Sequence, residues 1–340
     1  MAQPSYQGRF IWQELLCTDT GTAANFYARI LSWKAQPFSP GSPYMVFMSK
    51  GGKPLAGAMN LSDEARARGT PAHWRGYVGV GDVDAVLAQA LRLGARVVEP
   101  AQDMPGVGRV AMLADPEGAI FGLYRPMSDA GGAGDSGFDW SELAARRRET
   151  ALAFYQQLFG WELRPAMDMG GGMQYQTFGL GGQDFGGCYT IPADRPMPPS
   201  WCFYAHSDSA DEVAGKVVAG GGTILNGPMT VPGGGRIVQF FDPQHAMFAA
   251  HSMPRAAAPQ PKPAPKPAPK PKAAASPAAG KSAGKAARKV AKKTARKSVR
   301  KAKVKAKATK RPARKTKAKA KTRASKRPAR RRSRKPARKK

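Results

Sequence analysis

The feature that most constrains this chain is that it repeats itself. Phe10-Ile11-Trp12-Gln13-Glu14-Leu15 returns as Phe138-Asp139-Trp140-Ser141-Glu142-Leu143, an offset of 138 − 10 = 128. The same offset carries Phe26-Tyr27 onto Phe154-Tyr155 and Leu31-Ser32-Trp33 onto Phe159-Gly160-Trp161. An offset of 127 carries Trp74-x-x-Tyr77 onto Trp201-x-x-Tyr204 and Asp115-Pro116 onto Asp242-Pro243. Landmarks in one order at nearly one spacing mark an internal duplication, so the chain must fold as two copies of one unit.

Each copy divides again. Residues 10–18 read as a strand, Asp19-Thr20 can cap a helix, and Ala23, Phe26, Tyr27, Ile30 and Leu31 recur at helical spacing. Strands follow at about 33–38, 43–49 and 53–60, punctuated by Pro and Gly, and 62–72 reads as a polar connector. The order then recurs as strand 74–80, a helix from Asp82 through Leu93 ended by Gly94, and strands near 95–98, 107–114 and 119–124. A Gly-rich linker at 128–137 precedes the copy: strand 138–144, helix 148–159, strands to about 190, strand 200–206, helix 208–219 and strands to about 251. The expected fold class is α+β, with four βαβββ modules forming two domains at 8–127 and 138–253.

Composition separates this body from the C-terminal residues. The chain carries a net charge of +32, yet residues 256–340 hold 35 Lys plus Arg and no acidic or aromatic residue. The first 255 residues therefore hold 55 − 35 = 20 basic against 23 acidic side chains, close to neutral. Residues 254–272 form a Pro/Lys/Ala linker that favours an extended polyproline conformation. Residues 273–340 are Lys/Arg/Ala-rich with no apolar face, and mutual repulsion predicts disorder in the free chain. Cys17, Cys188 and Cys202 make no CxxC spacing and fit a reducing compartment. The N-terminus shows no basic start followed by an apolar run, and no apolar stretch is long enough to span a membrane. A cytoplasmic protein is expected.

The paired modules, the Phe-Tyr on each odd helix, the Asp-Pro before each even module's last strand and the Ser-Trp or Gly-Trp after the helix resemble the vicinal oxygen chelate superfamily. That group includes glyoxalase, bleomycin-resistance and extradiol dioxygenase proteins. The match runs over about 8–253, and the Trp-x-Glu-Leu opening is similar to its two-domain, glyoxalase-like antigen-type branch. The resemblance implies two cupped sheets, each able to hold a divalent metal between His or Glu side chains on the first and last strands of the modules. Counted from the family pattern, those positions are Trp12, Arg75 and Gly122 in the first copy and Trp140, Cys202 and Ala249 in the second. Trp, Gly and Ala offer no ligand and a lone Cys is not a set, so no metal cofactor is expected.

Residues two apart on a strand share a face. If Trp12 and Trp140 point into the cups, so do Glu14 and Glu142. The same parity places Tyr77 and Tyr124 in the first cup and Tyr204, His206 and His251 in the second. Glu14 and Arg75 read as an ion pair or an anion contact. Glu142, His206 and His251 read as a hydrogen-bonded set in a binding cavity, with a displaced ligand trio or an acid/base pair as the alternative. Gly170-Gly171-Gly172 and Gly233-Gly234-Gly235 lack the strand-to-helix context of a phosphate loop and read as turns. Trp33 and Trp161 read as core or cavity wall, His73 and His245 as loop residues, and Asp115-Pro116-Glu117-Gly118 as a hairpin turn.

The tail carries its own chemistry. A polycation releases phosphate counterions and so binds DNA, or RNA, without regard to sequence and with steep salt dependence. Lys281, Lys285, Arg288 and Lys289 begin the charged run, Lys292, Lys293, Arg296, Lys297 and Arg300 continue it, and Arg330, Arg331, Arg332 and Arg334 cluster near its end. Without aromatic side chains to stack on open bases, backbone binding of duplex DNA is expected. The composition resembles the Lys/Ala/Pro tails of linker histones and bacterial histone-like proteins. Fully extended, the tail reaches roughly 280–300 Å. The sequence thus implies a small-molecule- or partner-binding body tethered to the nucleoid. The alternative is a lyase or oxidoreductase with a displaced site that the tail only localises. The cup's ligand and the oligomeric state, a homodimer included, are left open, and no amphipathic face invites a membrane.

Overall fold

The computed structural model describes residues 6–127, 137–195 and 197–253. Most of the 128–137 linker, the whole 254–272 linker and the whole 273–340 tail lie outside the described residues. The first module contains β1 (Phe10–Cys17), α1 (Thr20–Leu31), β2 (Lys34–Pro37), β3 (Met45–Met48) and β4 (Pro54–Asn60). After α2 (Asp63–Ala67) come β5 (His73–Gly79), α3 (Val83–Arg92), β6 (Arg96–Met104), β7 (Gly108–Ala114) and β8 (Ile120–Pro126). The copy runs β9 (Phe138–Ala145), α4 (Arg148–Phe159), β10 (Glu162–Leu163), β11 (Met167–Asp168), β12 (Gln174–Leu180) and β13 (Gln183–Thr190). It closes with β14 (Ser200–His206), α5 (Ala210–Ala219), β15 (Thr223–Thr230), β16 (Arg236–Phe241) and β17 (Met247–Ser252).

Three details differ from the sequence reading. The polar connector contains α2, because Ser62 caps it through the Ala65 N–H and Asp63 and Glu64 sit in its positive first turn. Strand β6 continues to Met104 because it pairs with β7 along its whole length, absorbing Pro100 through register shifts. His73 opens β5 instead of lying in a loop, its Nδ1 against the Pro71 carbonyl at 2.9 Å.

Each pair of modules makes one sheet. The first has strand order β2-β3-β4-β1-β5-β8-β7-β6, and the second repeats it as β10-β12-β13-β9-β14-β17-β16-β15, with β11 beside β12. In both, the two opening strands lie antiparallel at the centre (β1 on β5, β9 on β14), and each pairs in parallel with its own module's last strand. Gly76 of β5 leaves room for the Phe203 ring of β14, so the sheets meet back to back at their centres. Helices α1 and α5 pack together on one flank and α3 and α4 on the other. The result is one hydrophobic core shared by both copies.

The landmarks of the duplication converge on that seam. Tyr27 donates to Asp242 Oδ2 of the other copy at 3.0 Å and accepts the Trp74 indole N–H at 2.8 Å. Tyr155 does the same with Asp115 at 3.1 Å and Trp201 at 3.2 Å. The second oxygen of each aspartate gathers backbone N–H groups of its own turn: Glu117, Gly118 and Ala119 for Asp115, and Gln244 and Ala246 for Asp242. Burial pushes both carboxyls above their ordinary range, opposed by those donors. Trp33 and Trp161 are likewise core residues, the Trp161 indole donating to the Gly8 carbonyl at 2.7 Å.

The helix starts also reach across the seam. Gln244 Oε1 accepts the Asp19 N–H at 2.8 Å before α1, and Glu117 Oε2 accepts the Arg147 N–H at 2.9 Å before α4. Helix α4 has no side-chain cap of its own, and the carboxylate from the other copy satisfies the N–H of its N-cap residue.

Candidate functional site

Because Trp74 and Gly76 face the seam, Arg75 and Tyr77 point away from it, into the outward concave face of the first sheet. Trp12 and Glu14 join them there, opposite Tyr77 and Arg75 in register. Phe10 does not follow this parity. A bulge between Phe10 and Trp12 turns it to the seam, where its ring meets those of Trp201 and Phe203.

The floor of the first cup is a closed polar cluster. Arg75 reaches Glu14 Oε2 through its terminal nitrogen at 2.6 Å and through Nε at 2.8 Å, and bonds Glu99 at 2.7 Å with the other terminal nitrogen. Tyr77 donates to the same Glu14 oxygen at 3.0 Å, and the guanidinium carbon lies 5.5 Å from the centre of the Tyr77 ring. The Trp12 indole donates to Tyr44 at 3.1 Å. Burial, and then the Glu14 charge, push the hydroxyls of Tyr44 and Tyr77 well above the usual phenol range. Burial alone would weaken the hold of Arg75 on its proton, but Glu14, Tyr77 and Glu99 outweigh it.

The second cup repeats the frame without the cation. Trp140 donates to Tyr175 at 2.9 Å, and Tyr175 donates to Glu142 Oε2 at 3.1 Å. Gly57 and Gly187 lie at matching places, and a methyl on either would overlap the Tyr44 or Tyr175 ring. The place of Arg75 is taken by Cys202, opposite Glu142 in register. Gln239 instead donates to Glu142 Oε1 at 2.8 Å and to Tyr204 at 2.6 Å. Glu142 keeps part of its surface open to solvent, yet protein surrounds it closely enough that burial raises its carboxyl, opposed by Tyr204, Tyr175 and Gln239.

The trio of Glu142, His206 and His251 is not brought together. Glu142 turns to the tyrosines and the glutamine, while both histidines approach Asp139. His251 Nδ1 lies 2.8 Å from Asp139 Oδ2 and His206 Nδ1 lies 3.4 Å from it. Asp139 sits beside the register shift between β9 and β14, which swings it under the ends of β14 and β17. His206 stands at the exposed rim. Tyr124 lies against Tyr77, and its hydroxyl goes to the Val107 carbonyl at 3.2 Å.

Sequence parity missed Tyr44, Tyr175, Gln239, Glu99 and Asp139. The tyrosine of each copy was recoverable, since Tyr44 and Tyr175 stand in corresponding modules 175 − 44 = 131 positions apart. Among the described residues no group of three His, Cys, Asp or Glu side chains gathers as a metal ion would require. A hollow of about 490 Å³ between α3 and α4, lined by Leu93, Pro116, Ala153 and Phe154 among others, lies at the seam and not in either cup.

The fold and its cups define a tandem βαβββ-module protein with two cupped sheets back to back. Residues 12–124 match the model of a glyoxalase-like domain, and 137–250 match that of the glyoxalase/bleomycin resistance protein/dioxygenase superfamily. CFP32 of Mycobacterium tuberculosis (strain CDC 1551 / Oshkosh), which carries a provisional glyoxylase name, is 31% identical over 248 residues, 72% of this chain and 94% of that protein. The anthracycline biosynthesis protein DauV of Streptomyces sp. (strain C5) is 29% identical over 70% of this chain and 90% of its own. The chain belongs to the glyoxalase/bleomycin resistance protein/dioxygenase superfamily.

Solved structures of the same fold include the 2,3-dioxygenase LapB from Pseudomonas sp. KL28, with TM-score 0.53 and 12% identity over 76% of this chain and 97% of that one. The Mn(II)-bound glyoxalase from Novosphingobium aromaticivorans gives TM-score 0.52 and 14% identity over 74% of this chain and 83% of that one. No helix among the described residues is long and apolar enough to cross a membrane.

Proposed function

We propose that the body is a small-molecule-binding member of its superfamily that works without the family's metal, and that the basic tail tethers it to DNA. The observation that carries the first part is the donor set of the cup floors. At the positions where the family would place ligands stand Trp12, Arg75 and Gly122, then Trp140, Cys202 and Ala249. Arg75 is already committed to Glu14, and the Tyr77 ring covers Gly122, so a divalent ion finds a cation and a ring where it needs donors. These residues do not fit the metal. What they offer is a rigid, aromatic-edged floor with fixed hydrogen-bonding groups, which is how small-molecule sites fix orientation. The name of the streptomycete relative, a protein of anthracycline biosynthesis, supports a polycyclic aromatic guest.

The tail part rests on 35 positive charges without an acidic residue over 256–340. Deleting those residues is expected to abolish retention on duplex DNA, and retention by the full chain is expected to fall steeply with salt. Unchanged retention after the truncation refutes the tether. Near-stoichiometric divalent metal in the purified protein refutes the metal-free body.

The Asp139–His251 pair favours a second reading, a lyase or oxidoreductase with a displaced site. A carboxylate on Nδ1 fixes an imidazole and leaves Nε2 for proton transfer. Substrate turnover lost in His251→Gln but kept in Trp12→Phe would select it.

A further inference from the structure

We propose that the second cup binds an organic cation, a guanidinium, amidinium or amine on a flat apolar body. The ligand's positive head would sit against Glu142 as Arg75 sits against Glu14. The inference rests on the reading that the cups bind small molecules, and it names the class of ligand for one of them.

The duplication supplies an internal comparison. In the first cup the guanidinium of Arg75 is held by the Glu14 carboxylate at 2.6 Å, lies over the ring of Tyr77 and stands near the Trp12–Tyr44 pair. The second cup keeps every one of these receiving groups: Glu142 for Glu14, Tyr204 for Tyr77, and Trp140 with Tyr175 for Trp12 with Tyr44. The cation is gone, and so is the second carboxylate that holds it, since Glu99 opposite Met112 is answered by Asn226 opposite Gln239. The long side chain of Arg75 is replaced by the short Cys202, which removes the charge, while the neutral amide of Gln239 reaches Glu142 from β16.

Among the described residues the nearby basic side chains on or next to the strands of this sheet are paired elsewhere. Arg164 is tied to Glu162 and Asp184, and Arg236 to Asp211. Among the described residues the side chains that donate to Glu142 are neutral, Tyr175 and Gln239 among them. A second carboxylate adds to the imbalance. Asp139 reaches His251 through one oxygen, while its other oxygen is out of solvent and accepts no hydrogen bond.

Neutral donors from Tyr175 and Gln239 hold the Glu142 carboxylate in place without neutralising it. Trp140, Ile237 and Met247 are half-buried apolar surfaces around the same floor and would carry the flat body of the guest. Burial raises the Glu142 carboxyl, so the cation competes with a more tightly held proton, and binding should strengthen as pH rises. The first cup, whose carboxylate already has its cation, should take no such ligand.

The test uses the full chain, whose polycationic tail has no attraction for cationic probes. Phenylguanidinium and its neutral isostere phenylurea are titrated by calorimetry into the wild type and into Glu142→Gln, Cys202→Arg and Cys202→Ser. The expected result is one site for phenylguanidinium, at least tenfold weaker in E142Q and C202R, unchanged in C202S, and weaker as pH falls. Phenylurea should bind at least tenfold less well to the wild type. Because C202R can fail to fold in a tight floor, the isosteric E142Q decides the matter by itself. Equal binding of phenylurea, or phenylguanidinium binding that survives E142Q, overturns the cation assignment while leaving the cup a binding site. No binding of either probe overturns both.

Discussion

Replacing Arg75 by Met should test the floor of the first cup most severely. The substitution keeps the aliphatic stem and removes the guanidinium, stranding Glu14 in a place where its side chain is 8% exposed and that of Arg75 only 11%. Removing one partner of a buried pair costs about 3–5 kcal/mol, because the remaining charge has neither water nor counterion. Tyr77 still donates to Glu14 at 3.0 Å, which places the expected loss at the lower end, about 3 kcal/mol. In a fold of this size that is a fall of roughly 6–12 °C in Tm. The assay is urea unfolding followed by tryptophan fluorescence, with Glu14→Gln and the double variant completing a cycle. The double variant should recover most of the loss, since it removes the stranded charge as well. A single-variant loss below about 1 kcal/mol, or a double variant no better than the single, would refute the reasoning that the pair is desolvated.

The second cup should respond in the opposite sense. The folded state holds the Glu142 proton more tightly than the unfolded chain does, so its contribution is full below the unfolded carboxylate range and lost as pH rises through the raised folded value; E142Q should flatten that part of a stability–pH curve and cost little near neutrality. Tyr27→Phe leaves the Trp74 N–H and Asp242 Oδ2 buried without their shared partner, and should cost about 2–4 kcal/mol in urea unfolding. Tyr155→Phe should cost about the same through Trp201 and Asp115, and a variant in which one copy melts separately from the other would contradict the shared core. Burial pushes the Cys17 thiol up to about 12 and raises Cys188 and Cys202 as well, so none of the three should react with a thiol reagent in the native state, and all three should react in denaturant.

Much of the fold was legible because its signals are local. Helix α4 spans Arg148–Phe159, the range its periodicity implied, and β14 spans Ser200–His206 likewise. Strand parity placed Glu14 beside Arg75 and Tyr77 because opposite residues in an antiparallel pair share a face. Parity failed where the register shifts. The bulge after Phe10 sends that ring to the seam, and the one between Tyr204 and Ala205 brings Asp139, not Glu142, to the two histidines. Bulges leave no reliable mark on alternation, since they insert one residue without changing composition.

The duplication, the order of the modules, the charge of the tail and the residue types standing at each cup position are determined by the sequence alone, since each is written in spacing or composition. Which of those residues meet is decided only in three dimensions. The partners of Glu142 come from β12 and β16, and the partner of Tyr27 from the other copy, so no window of sequence contains both ends of either contact. The tertiary structure also shows how far two cups with matching opening strands differ. One closes its buried carboxylate with an arginine, and the other surrounds its carboxylate with tyrosine and glutamine donors. That difference lies at three matched positions, Arg75 against Cys202, Glu99 against Asn226 and Met112 against Gln239. Its consequence depends on the low-dielectric floor that long-range packing builds around it.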